Sequence, residues 1–268
     1  MLSIEDVSVG FGGVRALSEV SFQAQTGEVI GVIGPNGAGK TTLFNAIMGL
    51  VEVQSGHIRL TQRDITRWSS HRIARSGIQR TLQTPQVFQQ ITVMENLVAA
   101  QIAPRGPHLT WAGLGLSGGR RYEKEAVQKA QKMLEGSPLR NEADKPAGDL
   151  SFGHQRLLEI YRALILNPQV VLLDEPLSGL TRQEADVVLN LVNNMRQEHR
   201  TVLLVEHHLP SVMSVADRVV VLADGTVVAN DRPDVVRHDE TVLRVYLGEE
   251  PNDGQTPTVS GADDSIGD

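Results

Sequence analysis

Apolar positions along this chain recur with two periods, and the switches between them predict an α/β protein. Alternation at period two, in Val7 and Val9, then Val20, Phe22 and Ala24, then Ile58 and Leu60, predicts short strands of an antiparallel sheet. Unbroken apolar runs within 28–33, 170–173 and 201–205 are short enough to be strands buried on both faces. A further run, Arg218 to Leu222, turns at Asp224-Gly225 into Thr226-Val227-Val228 and reads as a closing hairpin. Helical spacing appears in Leu43, Ile47 and Leu50, in Leu157, Leu158, Ile160, Tyr161 and Leu164, from about Arg182 to Glu198, and in a short helix ending at Leu247.

One region breaks this alternation of strand and helix. Met94, Leu97 and Val98 begin a helical pattern, a Gly/Pro-rich piece from Pro104 to Gly119 interrupts it, and Tyr122 to Leu134 resumes as a polar amphipathic helix. We read about 87–165 as a helical subdomain inserted into the core. The fold class expected is α/β, with a mixed sheet, an N-terminal antiparallel β subdomain and this inserted α-helical subdomain.

A chain of 268 residues can bury the core of one large domain, with or without an insert. The absence of cysteine excludes disulfides and thiolate metal sites. Net charge is −7, but residues 249–268 hold six of the 32 carboxylates and none of the 25 Lys and Arg, so the rest is nearly neutral. That balance argues against a nucleic-acid partner. The tail itself is rich in Gly, Ser, Thr, Pro and Asp and is expected to be disordered. The acidic start Met1 to Asp6 does not resemble a leader, and no run approaches the roughly 18 apolar residues of a membrane span. A soluble, cytoplasmic protein is expected.

Between a strand and a helix stands Gly34-Pro35-Asn36-Gly37-Ala38-Gly39-Lys40-Thr41-Thr42, which fits G-x-x-x-x-G-K-[ST]. Phosphate oxygens need backbone N–H groups unobstructed by side chains, and Gly34, Gly37 and Gly39 leave the chain free to wrap. The following helix opens with unpaired N–H groups toward the phosphates. Lys40 would reach the β- and γ-phosphates and the Thr41 hydroxyl would ligate Mg2+, with Asn36, Gly37, Gly39 and Thr42 completing the nucleotide contacts.

Other segments carry compatible chemistry. Val170 to Leu173 delivers Asp174 and Glu175 at a strand's C-terminal end, where ligands bind in open parallel sheets. Asp174 would hold Mg2+ and Glu175 would polarise the attacking water. Ser151 reads as a helix cap, and a capped helix start is an anion site. Gln83, in the loop before Pro85, is either a solvated glutamine or a ligand reaching a metal-bound water. Phe11, before Gly12-Gly13, is either a packing residue or a ring that stacks on adenine. His207 and His208 are neighbours pointing to opposite faces with no third ligand near, so zinc is not expected. A single histidine aimed at the γ-phosphate fits better.

In this order the phosphate loop, Gln83, the helical insert, Leu150-Ser151-Phe152-Gly153-His154, Asp174-Glu175 and His207 resemble the ATP-binding cassette family over about residues 2–248. The resemblance implies a P-loop NTPase nucleotide-binding domain over 1–248 followed by the acidic tail. It assigns Phe11 to adenine stacking, Lys40 and Thr41 to Walker A, Gln83 to the Q-loop, Asp174 and Glu175 to Walker B, and His207 to the switch histidine. Ser151 and Gly153 match the signature that caps the γ-phosphate of a second subunit, so two copies, or this chain and a homologous one, would sandwich two ATP molecules. Leu116-Ser117-Gly118-Gly119-Arg120 looks more like the usual LSGGQ, but only Ser151 stands at the right distance from Asp174. His154 replaces the usual Gln, and Thr181 stands where many members have Asp.

Arg80-Thr81-Leu82-Gln83, Val205-Glu206-His207 and Val245-Tyr246-Leu247-Gly248-Glu249 resemble the ATPase subunits of branched-chain amino-acid importers, with urea and amide importers close in wording. The implied partners are transmembrane permease subunits and, through them, a solute-binding protein, with the chain peripheral on the inner face of the cell membrane. The competing readings are a soluble cassette protein acting on ribosomes or DNA, against which stand the single Walker A and the lack of heptads, and a small-molecule kinase, which leaves the segment at Leu150 to Gln155 unexplained.

Overall fold

The computed structural model describes residues 1–102 and 117–247, with side chains over 1–102 and 121–245. The Gly/Pro-rich piece up to residue 116 and the acidic tail lie outside the described residues, as do Leu116, Gly248 and Glu249. The strands run β1 (Leu2–Phe11), β2 (Val14–Ala24), β3 (Val29–Ile33), β4 (Ser55–Leu60), β5 (Arg63–Asp64), β6 (Ile78–Arg80), β7 (Val170–Asp174), β8 (Thr201–Val205), β9 (Arg218–Ala223) and β10 (Thr226–Asp231). The helices are α1 (Lys40–Ile47), α2 (Ser70–Arg75), α3 (Val93–Ile102), α4 (Ser117–Glu135), α5 (Phe152–Leu164), α6 (Arg182–Gln197), α7 (Leu209–Val215), α8 (Pro233–Val236) and α9 (Glu240–Leu247).

Two sheets form. The smaller, in order β2-β1-β4-β5, is antiparallel; the larger, in order β10-β9-β3-β8-β7-β6, is parallel except for the β9–β10 hairpin. The period-two residues of β1, β2 and β4 are all buried and pack into one core with α1. In the larger sheet the pleat divides the apolar runs between two cores. Val170, Leu172, Leu203 and Val205 face the smaller sheet and α1, while Val171, Leu173, Val202 and Leu204 face the layer formed by α3, α4, α5 and α6. Burial on both faces is why these strands are uniformly apolar rather than alternating.

Two expectations are corrected. Leu50 does not continue the face of α1, which ends at Ile47; Gly49, at φ +63, turns the chain and leaves Leu50 57% exposed. The second helix of the insert begins at Ser117, not near Tyr122, so Ser117 to Arg120 are helical rather than part of a break. Among the described residues no helix is long and apolar enough to cross a membrane.

Candidate functional site

Four adjacent strands of the larger sheet, in the order β3-β8-β7-β6, end on the same edge, and each delivers one candidate segment. From β3 comes the glycine-rich loop. Gly34 has φ +150, and a Cβ there would lie 2.1 Å from the Leu222 carbonyl oxygen on β9. Gly39, at φ +100 before α1, would drive a Cβ to 2.6 Å from the Ala16 carbonyl of β2. Gly37 differs: at φ +84 it has open space where a side chain would stand. No side chain caps the start of α1, which leaves its first N–H groups free for an anion.

Lys40 is 6% exposed, and its Nζ donates to the Gly34 and Pro35 carbonyl oxygens at 2.7 and 2.9 Å. Burial pushes its ammonium below the ordinary lysine range, and the Glu175 and Asp174 carboxylates act the other way. Thr41, Asn36 and Gly37 are exposed at the loop's rim, with Thr42 half-buried.

From β7 come the two carboxylates. Asp174 is buried and receives Arg80 Nη2 at 2.6 Å, while Arg80 Nη1 donates to Asn45 Oδ1 on α1 at 2.6 Å. Glu175 sits at φ +47, a left-handed conformation unfavourable for a non-glycine residue. Its N–H is held by the Val205 carbonyl at 2.9 Å, and its side chain turns to meet two neighbours. Gln83 Nε2, from the loop after β6, donates to Oε2 at 2.8 Å, and His207 Nε2, from the end of β8, lies 2.8 Å from Oε1. The parallel register that sets Asp174 opposite Val205 brings Glu175 and His207 together. His208 turns away, its Nδ1 2.7 Å from Ser211 Oγ on α7, so the adjacent histidines do not converge.

Ser151 and Gly153 stand apart from this cluster. Ser151 Oγ caps α5 by accepting from His154 N at 3.2 Å, and neither residue is hydrogen-bonded to the glycine-rich loop among the described residues. A Cβ at Gly153 would fall 2.1 Å from Glu184 Oε1. His154 pairs through Nδ1 with Glu142 at 2.6 Å. Thr181 and Glu184 form a reciprocal capping box at the start of α6, which gives Thr181 a structural role of its own. Phe11 ends β1 and is 51% exposed.

Four charged residues around the site escaped sequence reasoning: Arg80, Arg156, Glu159 and Glu206. Glu206, 4% exposed, accepts from Leu177 N at 2.6 Å and His207 N at 3.2 Å. Burial pushes its carboxyl above the ordinary range against those two hydrogen bonds, and the charge of Glu175 adds to the rise. The only signal in the sequence was a carboxylate directly after a buried run.

A family profile described as ABC transporter matches residues 17–178. The chain is 38% identical over 250 residues to the high-affinity branched-chain amino acid transport ATP-binding protein BraF of Pseudomonas aeruginosa, covering 93% of this chain and 98% of that protein. It is 37% identical, with the same coverage, to the similarly named LivG of Escherichia coli. Among solved structures it is similar to a nucleotide-free ATP-binding cassette from an ABC transporter, with a TM-score of 0.82 at 35% identity over 93% of this chain and 99% of that one. The ADP conformation of the cassette MJ1267 matches at 0.81 and 35%, with equal coverage.

Proposed function

The chain belongs to the ABC transporter family as an ATPase cassette, and from that premise we propose that it is the ATP-hydrolysing subunit of an importer for branched-chain or related amino acids. Transport would run through separate membrane subunits, with this chain peripheral on the inner face of the membrane. The observation that carries the catalytic reading is the bracketing of Glu175 by Gln83 and His207, at the edge where the glycine-rich loop also opens. The solute class rests on the 37–38% identity to BraF and LivG over nearly their whole length.

In this reading the Gly34–Thr42 loop and the first turn of α1 bind the phosphates through backbone N–H groups, and the exposed Phe11 ring stacks on adenine. Lys40 exchanges the Gly34 and Pro35 carbonyls for phosphate oxygens. Asp174, Thr41 and Gln83 offer a carboxylate, a hydroxyl and an amide oxygen, hard donors of the kind suited to Mg2+. When bound there, Mg2+ would neutralise phosphate charge and fix the phosphate orientation. Glu175 takes the proton of the attacking water, held in place by Gln83 and His207. Ser151 and Gly153, outside the cluster of their own chain, cap the γ-phosphate of a second cassette in a head-to-tail dimer.

The test is capture of the tagged chain from native membranes in mild detergent, followed by identification of what stays bound. Hydrophobic permease subunits are the expected result, and trapping their solute-binding protein identifies the solute. Recovery only with ribosomes or nucleic acid in the soluble fraction overturns the importer reading.

A further inference from the structure

Past Thr81, whose N–H still reaches the Leu172 carbonyl of β7 at 2.9 Å, the chain leaves the sheet, so the backbone groups of the Gln83 loop need other partners. They find them on α5. Arg156, fully buried, donates from Nη1 to the Leu82 carbonyl at 2.5 Å and from Nη2 to the Gln83 carbonyl. Glu159, also buried, accepts from Leu82 N at 3.0 Å and pairs with Arg156 Nη1 at 3.1 Å. Arg162 reaches the Gln86 carbonyl and lies 4.7 Å from the centroid of the Phe88 ring. Residues 156, 159 and 162, three apart, share one helix face.

The two ends of this contact differ in kind. At its start α5 carries Ser151 and Gly153, and at the far side Gln83 gives its amide N–H to Glu175 Oε2 at 2.8 Å. Gln83 is therefore held at its carbonyl by α5 and itself holds the carboxylate assigned to the attacking water. A point charge on a flexible stem would leave the loop free to slide. A planar guanidinium spanning two successive carbonyls, oriented by a carboxylate that also takes the Leu82 N–H, does not.

We propose that Arg156 and Glu159 are positioning residues that lock the Gln83 loop to α5, so that engagement of Ser151 and Gly153 with the partner's nucleotide is delivered through Gln83 to Glu175 of the same chain. This rests on the head-to-tail dimer of the reading above. The consequence is that hydrolysis in one site depends on occupancy of the other through side chains of a single cassette.

The experiment compares Arg156→Gln, Arg156→Lys and Glu159→Gln in the full chain, reading thermal midpoint, nucleotide affinity, kcat and the Hill coefficient for ATP. Arg156→Gln is expected to lower kcat about tenfold or more and bring the Hill coefficient toward one, with nucleotide affinity within about twofold of the parent. Arg156→Lys, which keeps one cationic donor, recovers part of kcat. Should Arg156→Gln fail to fold, Glu159→Gln, of the same shape and still able to accept from Leu82 N, is expected to lose kcat and cooperativity to a smaller extent. Parental kcat and Hill coefficient in the folded variants overturn the clamp, as does a parallel loss of affinity and turnover. ATP-driven dimerisation of Glu175→Gln, followed by size-exclusion chromatography, separates the two claims: a dimer with parental kinetics in the Arg156 and Glu159 variants defeats the clamp alone, and no dimer defeats both.

Discussion

His207 Nε2 lies 2.8 Å from Glu175 Oε1, so the carboxylate at the end of β7 is met by a side chain from the end of the adjacent strand. With Gln83 on the other oxygen, the glutamate is held at both oxygens, each of which keeps a further lone pair free. Glu175→Gln keeps the size of the side chain but cannot take a proton. It is expected to bind ATP as the parent does and to hydrolyse it at least about tenfold more slowly, since general-base contributions run to about 10²–10⁴. Measured turnover near the parental value would remove Glu175 from that role.

Lys40 spends its ammonium on two carbonyls of its own loop, Gly34 and Pro35, and is poised over the space the phosphates would fill. A hydrogen bond to a charged group is worth about 1.5–3 kcal/mol, so Lys40→Ala is expected to weaken nucleotide binding by roughly tenfold to a hundredfold. Equilibrium binding of a fluorescent ATP analogue reads this directly. Unchanged affinity would mean that the loop is not the phosphate site.

Two glycines of that loop should fail in different ways. At Gly34 a methyl group meets the Leu222 carbonyl, part of the rigid strand β9, in a backbone conformation open almost only to glycine. Gly34→Ala is expected to destabilise the fold by at least about 2 kcal/mol, or roughly 4–8 °C in Tm. At Gly37 a methyl group meets no protein atom. Gly37→Ala should melt closer to the parent yet bind nucleotide more weakly, because the added group occupies the ligand's side of the loop. Equal melting of the two variants contradicts this assignment.

What the sequence made legible was whatever is local. The runs of β3, β7 and β8 and the glycine-rich loop announce themselves within ten residues, and the burial of every residue in those strands follows from layers on both faces. Leu50 departs from the expectation because counting i, i+4 and i+7 from Leu43 passes over Gly49, whose positive φ ends the helix geometry. Buried charges were illegible for another reason. Arg80 finds Asp174, Arg156 finds Leu82 and Glu206 finds Leu177 across 94, 74 and 29 positions of sequence, and no period encodes such a pairing. In isolation each reads as an ordinary surface charge.

Glu206 yields a prediction about pH. Its carboxyl is pushed up chiefly by burial, with the nearby charge of Glu175 adding to the rise and the Leu177 and His207 N–H groups opposing it. Because the folded value lies above the unfolded one, the folded chain holds a proton that the unfolded chain has released over the interval between them. Stability from this group is therefore complete below the ordinary glutamate range and is lost as pH rises through the raised value. Glu159, raised by burial as well, contributes with the same sign. Glu206→Gln imitates the protonated acid, keeping an acceptor for Leu177 N without the charge. Its thermal midpoint should match the parent at the ordinary glutamate value of 4.5 and below, and exceed it progressively at higher pH, by about 2–4 °C for each kcal/mol removed. The slope is reduced and not abolished, because Glu159 remains. Midpoints that run parallel with pH in the two proteins would show that Glu206 is not the titrating group.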